Sequence, residues 1–491
     1  MPHIIIIGLG PGSLDDLTLE AWQILKEADE VWLRTGHHPV VADLPDPEAL
    51  HTFDKVYEQA DRFGDVYEEI VNEVLDLGRR SRGVVYAVPG HPLVGEATVT
   101  RLLSVADREG IPVRIVPGLS FIEPALTALR LDGLDGLQIF DALDLVARVH
   151  PPLNPDFPAL IAQVYSRAVA SELKLVLMNQ YEDDHPTVLL DGAGTDKQRL
   201  LRLPLYEIDR HAMSPLTTLY VSPLPAVTSF EGFQDTIARL RSPEGCPWDR
   251  EQTHQTLRTN LLEECYEVLE AIDADDSEAL REELGDLLLQ IVLHAQIAVE
   301  EGEFRMTEVI AQIDKKLKRR HPHVWGEVAV DGVGEVITNW EVIKRRERAD
   351  RGTAERSLLD GIPRALPALA QAVAYADRAG RIGFDRIRAN GVWVDLPGPV
   401  REQLDGLIAA LTASLPSTQN RIPSQLLGDL LLVIVDWARR HTIDAESALR
   451  EANQRFAERF HVLETASRQD GVSIDTLTPD EIRRLWEGMG L

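Results

Sequence analysis

Hydrophobic and polar positions follow two regimes along the chain. Up to about residue 222, short apolar runs alternate with helical stretches. Ile4–Ile7, Val84–Val88, Val113–Val116, Leu175–Met178 and Thr217–Val221 read as strands. Several are continuously apolar, as in a sheet covered on both faces. Residues 18–28 and 67–77 lie between such runs and carry helical spacing. This pattern predicts an α/β domain. The stretch Ser222-Pro-Leu-Pro-Ala226 marks a boundary, after which strand signals nearly vanish. Long helical patterns then predict a mainly α-helical second half.

That second half repeats itself. Glu283-Leu-Gly-Asp-Leu-Leu-Leu-Gln-Ile-Val292 resembles Leu426-Leu-Gly-Asp-Leu-Leu-Leu-Val-Ile-Val435. Glu264 and Glu267 correspond to Glu402 and Asp405, Lys316 and Arg320 to Arg455 and Arg459, and Trp340 to Trp486. A helical unit of about 130 residues is therefore duplicated.

Composition changes this picture only through charge. Eighty Asp and Glu against 50 Lys and Arg give a net charge of −30 in 491 residues. That balance argues against broad binding to nucleic acid or an anionic membrane. The apolar start at Ile4–Ile7 runs into Gly8 and is too short for a signal or membrane-spanning segment. Cys246 and Cys265 are the only cysteines, so no disulfide framework is expected and a reducing cytoplasm is the simplest compartment.

The charge is concentrated. Residues 258–290 carry eleven carboxylates and two basic residues, Arg258 and Arg281. On a helix, Leu261, Cys265, Val268, Leu269 and Ile272 form an apolar stripe, which makes Cys265 a small core residue. Glu264 and Glu267 fall on its edge, while Glu263 and Glu270 face away. On the next helix Glu283 and Asp286 are again three apart, in line with Gln290 and His294. Four converging carboxylates would repel one another unless cations neutralised them, and all-oxygen ligation favours Mg²⁺ or Mn²⁺. Five of the six residues from Lys315 to Arg320 are basic. Lys316 and Arg320 are one turn apart, a spacing that suits phosphate oxygens, and Trp340 and Lys344 repeat it. Carboxylates, cations and an aromatic surface together suggest a nucleoside triphosphate site without a P-loop. His321-Pro-His323 reads as a metal pair or as a structural loop, and Trp248 as a base contact or as packing at a helix start.

At this point a resemblance becomes specific. Glu263-Glu-Cys-Tyr-Glu267, fifteen residues, then Glu283-Leu-Gly-Asp286 resembles the signature of the MazG family of nucleoside triphosphate pyrophosphohydrolases. Gly245-Cys-Pro-Trp-Asp249, Arg320-His-Pro-His-Val324 and Asn339-Trp-Glu-Val-Ile-Lys344 match it too. The resemblance implies that Glu264, Glu267, Glu283 and Asp286 bind Mg²⁺. It also implies that Lys316, Arg320, Trp340 and Lys344 contact nucleotide, and that (d)NTPs are cut between the α- and β-phosphates. The second copy keeps Glu402, Asp405 and Asp429 but has Leu426 at the third ligand position and Gly490 in place of Lys344. Copy one is therefore expected to be catalytic and copy two to complete a helical bundle.

In the first half, strand Ile4–Ile7 leads into Gly8-Leu-Gly-Pro-Gly12. Two more small-residue turns, Val88-Pro-Gly-His-Pro92 and Val116-Pro-Gly-Leu-Ser120, follow strands. Three such turns imply one crevice at the carboxyl edge of the sheet. In order, they resemble the tetrapyrrole methylase family, the class III S-adenosylmethionine methyltransferases. The resemblance implies a cofactor site at Pro89, Gly90, His91, Val94, Ser120, Phe121 and, on a later strand, Met178. His91 stands where many members have Asp.

The sequence thus predicts an N-terminal α/β methylase-like domain (1–222) followed by an all-α tandem helical bundle (223–355 and 356–491). A Mg²⁺-dependent pyrophosphohydrolase acting on nucleoside triphosphates is expected, with S-adenosylmethionine as a possible second ligand and a possible homodimer. Two rivals are a methyltransferase with an accessory helical half, and an N-terminal ligand sensor that controls hydrolysis.

Overall fold

The computed structural model describes residues 3–59, 63–350, 357, 359–380, 386–389, 392–395, 406, 408–409, 424–469 and 477–488. By packing, the chain divides into two units, 1–311 and 312–491.

The first unit begins with a five-stranded sheet of order β3-β2-β4-β1-β5. Its strands are β1 (Ile4–Gly8), β2 (Val31–Leu33), β3 (Leu50–Thr52), β4 (Val84–Val88) and β5 (Val113–Val116). All neighbours are parallel, with Ile4 level with both Val84 and Val113. Parallel strands need helical crossovers, which cover both faces of the sheet. α1 (Leu19–Glu27), α2 (Asp54–Gln59), α3 (Phe63–Gly78) and α4 (Ala97–Glu109) are the helices between these strands. The start of α1 is fixed by the Thr18 hydroxyl, which accepts from the Ala21 amide. Ile4 and Ile6 lie in one buried cluster and Ile7 and Leu9 in the other, which explains the uninterrupted run.

A second sheet has the order β6-β7-β10-β8-β9. It comprises β6 (Gln138–Asp141), β7 (Ala159–Ala162), β8 (Pro186–Asp191), β9 (Arg199–Pro204) and β10 (Thr217–Val221), with helices α5 (Ile122–Leu129), α6 (Ala142–Val146) and α7 (Arg167–Leu177) around it. Only β6 and β7 run parallel; the other pairs are antiparallel.

The expected strand Leu175–Met178 is instead the last turn of α7 and its C-terminal cap. Val169, Ala170, Leu173, Val176 and Leu177 are buried at helical spacing, and Ser166 caps the start through the Val169 amide. The apolar run is the end of that stripe. The true strand is β7, which begins eight residues before the helix does.

The boundary segment is tied down. The Asp156 carboxylate accepts from the Thr228 amide at 2.7 Å and the Ser229 amide at 3.1 Å, and also from the Ser229 hydroxyl. Ser229 in turn caps α8 (Phe230–Leu240). There follow α9 (Pro247–Glu251), α10 (Arg258–Asp273), α11 (Ser277–Glu300) and α12 (Met306–Arg320), and the division between the units falls inside α12. Ile237, Leu257, Val292, Leu293, Ile297 and Met306 form the core of this helical part.

The second unit holds the rest of α12, then α13 (Pro322–Trp325), α14 (Val333–Asp350), α15 (Ala368–Gly380) and further helices at Ser424–Arg440, Ala445–Gln469 and Pro479–Gly488. A short hairpin, β11 (Arg386–Ala389) and β12 (Val392–Asp395), interrupts the helices. The second half is therefore mainly helical, as the pattern predicts. No helix among the described residues is long and apolar enough to cross a membrane.

Candidate functional site

The sharpest cluster of chemistry lies on the α10–α11 hairpin. The two helices are joined by a short turn in which Asp275 takes a left-handed backbone (φ 54°). The Asp276 carboxylate caps α11 through the amides of Glu278 and Ala279. Pairing two helices this tightly brings their three-residue carboxylate spacings face to face. Oxygens of Glu264, Glu267 and Glu283 all lie within 4.8 Å of one another, a set able to hold a metal ion. Asp286 is exposed, yet close enough for its charge to act on both Glu264 and Glu283. Partial desolvation, reinforced by these neighbouring carboxylates, raises the pKa of Glu264 and of Glu283. Carboxylates that resist ionising together are the electrostatic signature of a site that gains from a hard cation. Glu263 and Glu270 are exposed, as expected.

The apolar stripe on α10 behaves differently from expectation. Cys265 is exposed rather than a core residue, Leu269 and Ile272 are 38% and 53% exposed, and Leu261 and Val268 are half-buried. It is Ala271, beside the acidic edge, that is buried. α11 likewise leaves Leu284, Leu288 and Ile291 exposed. Along α10 and the first half of α11 the large apolar residues face outward, while Val292, Leu293 and Ile297 in the second half of α11 are buried in the helical core. Of the residues in line with Glu283, Gln290 is buried. His294 shares a 2.8 Å Nδ1–Nδ1 hydrogen bond with His254.

The predicted nucleotide-contacting residues lie in the second unit. Lys316 is exposed near the end of α12. Arg320, at its last position, is held by Glu347 of α14: Nε donates to Oε1 at 3.2 Å and Nη2 to Oε2 at 2.7 Å. Arg319 shares the same carboxylate through Nε at 2.8 Å. Hydrogen bonds from Arg320, ahead of those from Arg319, hold the Glu347 carboxyl down at about 2. Trp340 carries Lys344 over its ring at 5.3 Å and meets His321 edge-on at 5.0 Å. His321 Nδ1 donates to Leu317 O, 2.7 Å away, and Pro322 opens α13, so this segment is a short helix rather than a loop. Trp248, in α9, is 58% exposed. In the second copy, Glu402, Asp405 and Gly490 lie outside the described residues, as does the side chain of Leu426. Asp429 is exposed on the helix Ser424–Arg440.

The three glycine turns of the first half converge. The Gly90 amide donates to Gly10 O at 2.9 Å, and a side chain at Gly8 would stand 2.5 Å from Gly90 O and 2.6 Å from Gly118 N. One at Gly118 would stand 2.7 Å from Gly90 O. These contacts require glycine, because the loops at the ends of β1, β4 and β5 touch through backbone alone. Beside this junction there is room: the nearest atom to a Cβ at Gly90 is 4.0 Å away. Pro89, His91 and Val94 are half-buried around it, and His91 Nδ1 accepts from the Leu93 amide at 3.1 Å. Ser120 is buried, with its amide and hydroxyl both donating to Glu123 at 2.7 Å, and Phe121 stands at the start of α5. Met178 does not join them by way of a strand. It caps the C-terminal end of α7, whose Leu173 and Leu177 pack in one core with Ala159 and Ile161 of β7.

Known proteins resemble the chain in sequence. The profile described as the MazG nucleotide pyrophosphohydrolase domain matches residues 252–325. A nucleoside triphosphate pyrophosphohydrolase/pyrophosphatase MazG of Thermotoga maritima is 40% identical over 258 residues, 52% of this chain and 94% of that protein. The chain belongs to the MazG family. The MazG portion is preceded by a match to the tetrapyrrole (corrin/porphyrin) methylases over residues 3–209. An uncharacterized protein of Bacillus subtilis, YabN, is 38% identical over 489 residues, covering 98% of this chain and 97% of its own. It therefore has both parts in the same order. Among solved structures, the methyltransferase CobJ aligns with 45% of this chain and 95% of its own at 18% identity, with a TM-score of 0.36.

Residue spacing missed three features of this MazG protein. Ligand atoms of His254, Glu301 and Glu303 also come within 4.8 Å of one another at the far end of α11. Gln163, just past β7 with φ 62°, brings its side-chain nitrogen within 3.8 Å of where a Gly95 Cβ would stand. The third is a buried ion pair, Arg34 Nη1 to Glu96 Oε2 at 2.9 Å, beside a cavity of 420 Å³ lined by Arg34, Thr35, His37, Asp54 and Tyr57. Glu96 also accepts from Thr98, whose hydroxyl meets that of Tyr86 at 2.9 Å. Its one sequence signal was a charged residue directly after the apolar triplet Val31–Leu33.

Proposed function

We propose that the chain is a Mg²⁺-dependent nucleoside triphosphate pyrophosphohydrolase that converts (d)NTP to (d)NMP and pyrophosphate, Mn²⁺ being the alternative ion. The observation that carries this reading is the meeting of Glu264, Glu267 and Glu283 on the α10–α11 hairpin. The donor set fits a hard divalent cation: it is all oxygen, and two of its members resist ionisation. Glu264, Glu267, Glu283 and Asp286 would hold the ion, which when bound supplies water activation and charge neutralisation at the α-phosphate. Lys316, Arg320, Trp340 and Lys344 carry the triphosphate and base contacts, an assignment that rests on their motifs. Positive side chains there stabilise the departing pyrophosphate.

In this reading residues 1–222 form a methylase-like domain, 223–355 the catalytic MazG copy and 356–491 a copy with a bundle-completing role. The exposed leucines of the hairpin fit burial against a second copy of the chain, which would make it a homodimer. The two free cysteines suit a reducing cytoplasm. Nucleic acid is not expected as a partner, given the overall charge.

A second activity is suggested for the N-terminal domain by the open space beside Gly90. A backbone-lined cradle of this kind suits S-adenosylmethionine, with Pro89, Gly90, His91, Val94, Ser120 and Phe121 proposed to hold it. Whether that ligand donates a methyl group or signals to the hydrolase is decided by assay. The deciding experiment for the main reading incubates the full chain with each NTP and dNTP plus Mg²⁺ or Mn²⁺ and separates the products. NMP with pyrophosphate is expected; NDP with phosphate, or no turnover, would sink the reading. Calorimetry with S-adenosylmethionine tests the second ligand, and absence of heat at millimolar concentration removes it.

A further inference from the structure

The duplication supplies an internal comparison around one carboxylate. In the first copy, Arg320 is gripped by Glu347 through Nε and Nη2, and Lys344 is the cation over the Trp340 ring. In the second, the corresponding Arg459 makes no ion pair among the described residues. It lies over the corresponding Trp486 with its Cζ 4.3 Å from the ring centroid, donating through Nη2 to Trp486 O at 2.8 Å. Its Nε is buried without a hydrogen-bond partner. The same Arg and Trp pair thus has two arrangements: in the first copy a carboxylate grips the guanidinium, and in the second the guanidinium lies on the indole and makes no ion pair among the described residues. Cation–π attraction explains the second arrangement, because a guanidinium without a stronger partner settles on an indole face.

We propose that Glu347 is a positioning residue, which keeps the Arg320 guanidinium off Trp340 and presents its remaining N–H groups to a triphosphate. The inference rests on the nucleotide role given above to Arg320 and Trp340. Glu347 has no need to touch substrate. A bidentate grip uses Nε and Nη2 and leaves Nη1 for a phosphate oxygen, with the side-chain entropy already spent. The same carboxylate also gathers Arg319, so both cations at the end of α12 are held in one place. Glu347 is only 11% exposed, which limits its exchange with water and fixes the geometry.

The test is a double-mutant cycle on the full chain. Glu347→Ala should raise KM for the preferred NTP about tenfold, within the coupling range of contacting charged side chains, and change kcat less than about threefold. Because Glu347 acts through Arg320, the Arg320→Ala, Glu347→Ala double variant should match Arg320→Ala alone. Calorimetry with an α,β-methylene nucleoside triphosphate should show the same pattern without turnover. Additive losses, or an unchanged KM, would overturn the proposal. A lower KM would overturn it too, since it would mean that the carboxylate competes with phosphate. If Glu347→Ala does not fold, Glu347→Gln replaces it in the cycle, with the same coupling expected. Wild-type chain that binds the methylene analogue but releases no pyrophosphate would refute the hydrolase reading and leave the cycle on binding intact. A chain that does not bind the analogue refutes both.

Discussion

The crevice of the first half and the carboxylate hairpin are built from opposite materials. At the crevice, Gly8, Gly10, Gly90 and Gly118 bring three loops together through backbone, and the geometry follows from side chains that are absent. At the hairpin, Glu264, Glu267 and Glu283 meet through side chains carried on ordinary helices. The difference teaches where each site is vulnerable. A backbone site fails when anything is added, a side-chain site when one charge is taken away.

The comparison is sharpest for catalysis. Glu283→Gln should reduce pyrophosphate release at least a thousandfold, about 4 kcal/mol of transition-state stabilisation. Asp429→Asn in the second copy should leave it nearly unchanged. The reverse pattern would move the active centre to copy two. Next in size is Glu96→Ala, which removes the carboxylate from Arg34 and leaves it only the Tyr57 hydroxyl among its side-chain acceptors in this pocket. Breaking a pair this buried costs about 3–5 kcal/mol, readable by urea denaturation. A cost below about 1 kcal/mol would show that the 420 Å³ cavity rehydrates Arg34 freely. Gly118→Ala follows, at about 1–3 kcal/mol, because its new methyl must displace backbone rather than a flexible side chain. It should also weaken any S-adenosylmethionine heat while sparing NTP hydrolysis. Loss of both together would mean that the two sites are not separable.

The smallest effect concerns pH. Folding raises the pKa of Glu264 and Glu283, so the native hairpin holds protons that the unfolded chain gives up. Their contribution to stability is therefore largest below the ordinary carboxylate range and falls as pH rises through the folded values. Millimolar Mg²⁺ should raise the melting temperature by a few degrees at pH 7 and by almost nothing near pH 4. An equal rise at both values would argue that the ion binds elsewhere.

How much of this was legible follows the same division. Three-residue spacing identified the hairpin carboxylates because a helix turns spacing directly into position. It did not reveal that the stripe beside them faces outward. Leu269 and Cys265 look the same in sequence whether a neighbouring helix or another molecule covers them. The parallel sheet was legible in Ile4–Ile7 and Val84–Val88, which are buried on both sides. β2 and β3 have three residues each, too few to carry a period. Leu175–Met178 misled because a short apolar run fits the end of a buried helix as well as a strand. The glycine turns pointed to the crevice, but no spacing could bring Gln163 to Gly95. Nor could spacing pair Arg34 with Glu96, which is sixty-two residues away.

The clasp of Asp156 on Thr228 and Ser229 bears on how the molecule comes apart. The Pro-containing stretch at 222–226 looks like a tether, yet the backbone just beyond it is pinned by a carboxylate seventy-three residues earlier. A protease needs several residues of slack strand to enter its cleft, and that pin withholds it. A fragment ending at Ser222 would strip Asp156 of its Thr228 and Ser229 donors, whereas one ending after Leu240 keeps them all. The seam visible in the sequence is thus a poor place to divide the protein.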